Sequence, residues 1–142
     1  MAVTRADTYT SSKQKKIFFS DFLDSFAASP YGGALAITQN ENSVKQSVKN
    51  LVLTNVGERL FQPNIGTNVN RSLFEPNDAI TQVNLQLFIE NTIKNYEPRV
   101  NNLSVSVVPS DEQNYLKINI IFSVINNPNT PVNLTINLKR VR

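Results

Sequence analysis

The chain has 142 residues, 40% of them hydrophobic and 18% charged, and a formal net charge of +3. A domain of this length buries about 68–70% of its unfolded surface, so it can fold around one core. The composition excludes a disordered polyelectrolyte, and no apolar run reaches the roughly 18–20 residues of a membrane span. Residues 1–16 contain no apolar stretch typical of a secretory signal. We therefore expect neither membrane insertion nor secretion.

Cysteine and histidine are both absent from the sequence. Their absence excludes disulfide frameworks, thiol nucleophiles, Cys/His zinc sites and His-based catalytic triads. A carboxylate pair such as Glu58 and Glu75 remains as an enzymatic option. However, an arginine follows Glu58 and another stands near Glu97, and arginine favours the ionised carboxylate, the opposite of what a general acid needs. The sequence therefore predicts no enzyme, no metal and no cofactor.

Basic residues concentrate at the two ends of the chain, in residues 1–16 and 139–142. Two interpretations stay open: solvated tails, or contacts with nucleic acid or an acidic protein surface. Tyr9 is the one aromatic residue among them, which disfavours single-strand binding by base stacking. The alternative function is therefore a small nucleic-acid or acidic-protein binding module that uses its basic termini.

The predicted domain begins after a flexible arm. Residues 1–16 are polar and show no hydrophobic periodicity, so we predict a flexible basic arm followed by one domain over residues 17–142. The next apolar segment predicts a short amphipathic helix, because its large side chains stand at helical spacing: Phe19, Phe22, Leu23 and Phe26. A turn at residues 29–33 separates it from a short strand predicted at residues 35–37.

Two longer helices are predicted in the middle of the chain. The first covers residues 42–54, with Asn40 or Asn42 as its N-cap and Gly57 as a left-handed C-terminal cap. One face of it is apolar: Val44, Val48, Leu51 and Val52. The irregular segment at residues 58–76 is too apolar for a free loop, so we expect its large side chains to pack on the domain: Leu60, Phe61, Ile65, Leu73 and Phe74.

The second helix is predicted over residues 77–96, with Asn77 as N-cap and Asp78 favourably placed for the helix dipole. Apolar residues lie on more than one of its sides, so we expect it to be buried on most sides or covered by a partner. It ends at Glu97-Pro98-Arg99, because proline disfavours helical geometry in the preceding residue. Glu97 and Arg99 can form a bidentate pair or hold the backbone of a partner. The other interpretation is an ordinary helix-to-strand turn with a surface ion pair.

The last third of the sequence alternates apolar and polar residues, which is typical of half-buried strands. Strands are predicted at residues 103–107, 116–120 and 132–138, joined by turns at 110–114 and 126–131. These strands form an antiparallel meander with helices on one face, an α+β fold. If the last strand, residues 131–140, lies at a sheet edge, it offers unpaired backbone groups to another chain. Lys139 and Arg140 would then act either as gatekeepers against aggregation or as partner contacts.

Four motifs in order carry a resemblance to a known family: VKQSVKNLVLT at 44–54, GERLFQP at 57–63 followed by Gly66, LFEP at 73–76 and EPR at 97–99. Together they make residues 35–142 similar to the gp25-like family of contractile-tail baseplate proteins. The resemblance implies a small α+β sheath-initiator protein, with two main helices packed on the meander. It also implies that the segment at 57–63 is a packed loop.

The resemblance further implies partners and residue roles. Six copies would surround the tail tube in the virion tail baseplate, assembled in the host cytoplasm, beside tube or hub proteins. Glu97, Pro98 and Arg99 would hold the helical core bundle of the wedge proteins. The last strand would pair with a sheath protein of the first ring: Val132, Asn133, Leu134, Thr135, Ile136, Asn137, Leu138, Lys139 and Arg140. No direct nucleic-acid contact, membrane or cofactor is expected.

Overall fold

The computed structural model describes residues 16–30, 32–75, 78–109 and 115–139. Its elements in chain order are β1 (Ser20–Phe22), β2 (Ile37–Gln39), α1 (Glu41–Leu53), α2 (Val69–Ser72), α3 (Ala79–Tyr96), β3 (Val100–Pro109), β4 (Tyr115–Val124) and β5 (Asn127–Lys139). The predicted α+β class is confirmed. In these ranges no helix is long and apolar enough to cross a membrane.

Several predicted features fall outside the described residues. They are nearly all of the basic arm, the N-cap Asn77, the turn at 110–114 and Arg140. The division into an arm and one domain stays a prediction.

The three long strands form one antiparallel sheet in the order β3-β4-β5, the meander that the alternation predicted. In the central strand, Ile118 lies opposite Val107 of β3 and Ile136 of β5, and all three side chains are buried. In β5, the alternate residues Val132, Leu134 and Ile136 are buried in the same way, as expected for a sheet with one covered face.

The turn predicted at 126–131 is shorter than expected. Only residues 125–126 form the turn, and β5 already begins at Asn127. The register then jumps from the pair Val124–Asn127 to the pair Ser123–Pro131, so the residues between them bulge out of the ladder. Prolines are tolerated here because an edge strand need not donate every backbone N–H.

Both main helices contribute to one hydrophobic core with the covered face of the sheet. α1 inserts Val44, Val48 and Val52, which are fully buried, and α3 inserts Ile89 and Ile93. Burying such side chains stabilises the fold by roughly 1.5–3 kcal/mol each. The opposite side of α3 is exposed, so the helix is not buried on most sides: Ile80, Val83 and Leu87. The expected cover by a partner stays a prediction.

The caps differ in part from the prediction. Asn40 is the N-cap position of α1, but its side chain makes no cap hydrogen bond. The helix ends at Leu53 with an extended Thr54 after it, so Gly57 does not cap it. The positive φ of Gly57, 90°, belongs instead to the loop that follows.

The helix predicted for residues 17–26 is wrong. This segment forms β1, which pairs antiparallel with β2, and Phe22 and Phe26 are exposed. The cause is a tertiary contact: Asn40 Oδ1 accepts a hydrogen bond from the backbone N–H of Phe18 (2.8 Å), and its Nδ2 donates to the carbonyl of Lys16 (3.1 Å). The amide holds the backbone extended, so helical spacing is overridden. The strand predicted at 35–37 accordingly begins at Ile37.

The expectation that residues 58–76 pack on the domain holds only in part. Ile65 is half-buried and Leu73 packs against the core. Leu60, Phe61 and Phe74 are exposed instead. The short helix α2 inside this segment, which the sequence did not predict, directs Val69 into the core.

Candidate functional site

Glu97 and Arg99 form a bidentate ion pair immediately after α3. Arg99 donates from Nε to Glu97 Oε1 over 2.6 Å and from Nη2 to Oε2 over 2.7 Å. Only 4% of Glu97 is exposed, whereas the Arg99 side chain is 30% exposed. The bidentate pair is therefore present, and it is not a surface ion pair because Glu97 is buried. That the motif holds a partner stays a prediction.

The pair joins several elements of the fold. Ser47 of α1 donates its hydroxyl to Glu97 Oε2 over 2.6 Å, which ties α1 to the end of α3. The carbonyl of Arg99 accepts a hydrogen bond from the N–H of Ile125 in the β4–β5 turn (3.0 Å). The motif therefore fixes both helices and the far hairpin in one place.

The electrostatics of Glu97 follow from these contacts. Burial alone raises the pKa of Glu97, but hydrogen bonds from Arg99 and Ser47 and the charge of Arg99 outweigh it, so the pKa lies below its usual value of 4.5. Hydrogen bonds to Glu97 raise the pKa of Arg99, against the effect of burial. Both groups are therefore charged at neutral pH, and Glu97 cannot serve as a general acid.

The outer part of the motif is what a partner can reach. Pro98 is exposed, and the Arg99 guanidinium lies 5.4 Å from the centre of the Phe19 ring. A guanidinium held on one side by a carboxylate and on another by an aromatic ring loses little conformational freedom on binding.

The outer edge of β5 is free along the described part of the chain. β5 pairs with β4 on one side only, and the sheet ends there. On the face of the sheet away from the core, β5 exposes four side chains: Asn133, Thr135, Asn137 and Lys139. The edge that the sequence offered as a possibility is present. Of the two basic residues at the end of this strand, Lys139 lies within the described residues and Arg140 lies outside them. Whether they act as gatekeepers against aggregation or as partner contacts stays open.

The two carboxylates considered from the sequence have different surroundings. Glu58 Oε2 accepts a hydrogen bond from the N–H of Asn55 (2.9 Å), at the base of its own loop. Glu75 lines a shallow pocket with Arg71 and Phe88, and Glu58 is not among the residues that line it. The described ranges contain no cluster of acidic side chains that could hold a metal ion.

The sequence did not predict the contribution of Ser47 to the site, nor the exposure of Leu60 and Phe61 in the loop at residues 57–63. Ser47 adjoins the apolar stripe of α1, and a polar residue beside a buried face is a signal for a buried hydrogen-bond partner. The exposure of Leu60 and Phe61 had no such signal, since apolar side chains in a loop ordinarily indicate burial.

Comparison with known proteins decides the family. A family model described as baseplate wedge protein gp25 matches residues 38–129, which include Glu97, Pro98 and Arg99. The chain belongs to this family. It is 34% identical over 86 residues to baseplate wedge protein gp25 of Enterobacteria phage T4, a match covering 61% of this chain and 65% of that relative's length. The aligned part of the chain thus spans just under two thirds of the phage T4 protein's length.

Solved structures share the fold of this gp25-family chain. A candidate tail lysozyme from Geobacter sulfurreducens aligns with a TM-score of 0.68 and 24% identity, covering 77% of this chain and 98% of that one. A chain of the anti-feeding prophage baseplate aligns with a TM-score of 0.60 and 20% identity, covering 87% of both chains. A chain of the type VI secretion system baseplate complex gives 0.59 and 15%, covering 70% and 93%. At these identities the likeness concerns the fold.

Proposed function

We propose that this chain joins the wedge to the sheath in the baseplate, in six copies around the tail tube or hub. Glu97, Pro98 and Arg99 hold the helical core bundle of the wedge proteins. β5 offers its outer edge to a sheath protein of the first ring and so initiates sheath assembly. The chain acts as a scaffold and not as an enzyme.

The observation that carries this proposal is the free edge of β5. An unpaired strand edge presents alternating N–H and C=O groups that an incoming strand can pair with. The exposed face of β5 carries Asn133, Thr135 and Asn137, short polar side chains that do not obstruct a neighbouring strand. Pairing through the backbone places few demands on the partner's side chains, which suits contact with a polymerising protein.

The wedge contact is supported by the rigidity of the motif at residues 97–99. The ion pair and the Ser47 hydrogen bond hold it before any partner arrives. Preorganisation of this kind lowers the conformational entropy that binding costs.

A scaffold rather than a catalyst is supported by the acidic side chains. Glu97 is ionised and used internally, Glu58 accepts a hydrogen bond within its own loop, and Glu75 lines a pocket with Arg71. The relative from phage T4 is a baseplate wedge protein. The term tail lysozyme describes the Geobacter protein and is not carried over to this chain, since the two share only 24% identity.

Site-specific photo-crosslinking tests the strand contact. The chain has no cysteine, so Asn133→Cys, Thr135→Cys and Asn137→Cys can each carry one maleimide-linked benzophenone. Matched controls are Ser104→Cys and Ser106→Cys, exposed on β3 at the opposite edge of the same sheet. With the cognate sheath subunit and baseplate, we expect sheath crosslinks from the β5 positions only. Equal or stronger crosslinks from β3 would contradict the proposal.

A further inference from the structure

The loop at residues 57–63 presents two large apolar side chains to solvent. Leu60 is 83% exposed and Phe61 is 99% exposed. Exposing two adjacent large apolar groups has no benefit for folding, because burying each would contribute roughly 1.5–3 kcal/mol. Exposed apolar clusters of this kind mark interaction sites.

The loop is nevertheless closed by its own hydrogen bonds. The N–H of Gly57 donates to the carbonyl of Pro63 over 2.8 Å, and the N–H of Gln62 donates to the carbonyl of Arg59 over 3.3 Å. Phe61 holds a left-handed φ of 67°, which is uncommon for a residue with a side chain. Such backbone geometry occurs where the surrounding structure fixes it, often at binding sites.

The base of the loop is anchored to the core. The N–H of Thr67 donates to the carbonyl of Thr54 over 2.7 Å, and its hydroxyl donates to the carbonyl of Val52 in α1. Gly66 approaches so closely that an added Cβ would lie 2.5 Å from the Thr54 carbonyl oxygen. The tip is therefore displayed on a fixed support.

We propose that Leu60 and Phe61 form an apolar anchor that inserts into an apolar pocket of a wedge protein. This inference rests on the proposed function. Arg59 precedes the anchor in the exposed tip, so we expect an acidic group at the rim of the receiving pocket. An aromatic side chain buried in a partner's pocket, with arginine beside it, is the composition typical of an interface hot spot.

The tip alone does not suit a dimer of this chain. Leu60 and Phe61 together can bury about 300–400 Å², so a dimer held by the tip alone falls far short of the roughly 800 Å² per partner of a stable interface. A symmetric contact through the tip would also bring two copies of Arg59 together, which like-charge repulsion disfavours. The anchor is therefore one part of a wider contact with a different protein.

Alanine variants of the full-length chain test the anchor. Phe61→Ala and Leu60→Ala are compared with Phe26→Ala, because Phe26 is also 71% exposed and also has a positive φ, 48°. The probe is the wedge complex purified after co-expression of the tail's wedge proteins. We expect unchanged thermal unfolding in all three variants and affinity for the complex about tenfold weaker or more for the tip variants alone.

The outcomes separate this inference from the proposed function. If the wild type binds the wedge complex and Phe61→Ala binds equally well, the anchor is wrong and the scaffold function stands. The same holds if Phe26→Ala loses as much affinity as Phe61→Ala. If the wild type does not bind the complex, the scaffold function fails and the anchor fails with it. A photoreactive phenylalanine analogue at position 61 should crosslink to a wedge protein, and a crosslinked dimer of this chain would also overturn the inference.

Discussion

A buried carboxylate is stabilised when hydrogen-bond donors reach both of its oxygens, and Glu97 meets this condition. Three short hydrogen bonds reach its two oxygens, two from Arg99 and one from Ser47. Because only 4% of Glu97 is exposed, water cannot replace a lost partner. The motif at 97–99 is therefore a structural joint as well as a candidate wedge contact.

Removal of Arg99 should destabilise the fold. Arg99→Ala leaves a buried carboxylate without its counter-ion, so we expect the free energy of unfolding to fall by about 3 kcal/mol. The matched control is Lys94→Ala, which breaks an ion pair with Glu90 on the surface of α3; it should cost less than about 0.5 kcal/mol. Urea denaturation measures both. Equal losses would show that the buried pair does not stabilise the chain.

The same pair predicts a pH dependence. The pKa of Glu97 is lower in the folded chain than its ordinary value of 4.5. The unfolded state therefore binds the proton more readily, so the stabilisation is complete above that value and is lost as the pH falls through the folded pKa. Glu97→Gln should flatten the stability profile below pH 4.5. Unfolding free energies measured from neutral to acidic pH would contradict this expectation if the profile of the variant stayed as steep as the wild type's.

Two serines of α1 should respond in opposite directions. The Ser43 hydroxyl is buried and has no hydrogen-bond partner among the described residues, so Ser43→Ala should stabilise the chain by about 1 kcal/mol. Ser47→Ala removes a donor to Glu97 and should destabilise it by about 1–2 kcal/mol. Thermal unfolding of both variants tests these two expectations. A change in stability of the same sign in both variants would contradict them.

At the scale of elements, periodicity predicted the core-facing sides of α1 and β4 but not the buried Val69 of α2. The apolar stripe of α1 and the alternation in β4 lead to buried side chains at the expected positions. The helix prediction for residues 17–26 was wrong because their helical spacing is a coincidence of composition. The Asn40 amide and the pairing with β2 determine the geometry of this segment instead. Likewise, Glu97 and Arg99 were predictable from neighbouring positions, but Ser47 stands fifty residues away in the sequence.

The contact between Asn40 and β1 can be tested without unfolding the chain. Asn40→Gly retains the positive φ of 50° but removes the amide that holds residues 16–19. We expect hydrogen exchange over residues 16–26 to accelerate about tenfold while exchange in α1 stays unchanged. Asn42→Gly, at an exposed position two residues on, is the control. Unaltered exchange in the N-terminal segment would show that β1 is held by other contacts.

At the scale of the whole molecule, one core supports the three surfaces assigned to partners. The loop at 57–63 is anchored on the end of α1, the motif at 97–99 follows α3, and β5 packs three buried side chains on the covered face of the sheet: Val132, Leu134 and Ile136. A rigid support keeps each surface in its binding geometry before assembly, which lowers the entropic cost of every contact. This arrangement suits a protein that links other proteins.

The most direct measurement is hydrogen exchange of the full-length chain with and without the cognate sheath subunit, in the baseplate context. An edge strand leaves alternate N–H groups without partners, and these exchange rapidly until another strand pairs with them. We predict that the sheath subunit slows exchange in peptides that cover Val132, Leu134 and Lys139, and leaves peptides from β3 unchanged. Protection of β3 with none in β5 would contradict the central claim that β5 is the strand on which the sheath begins.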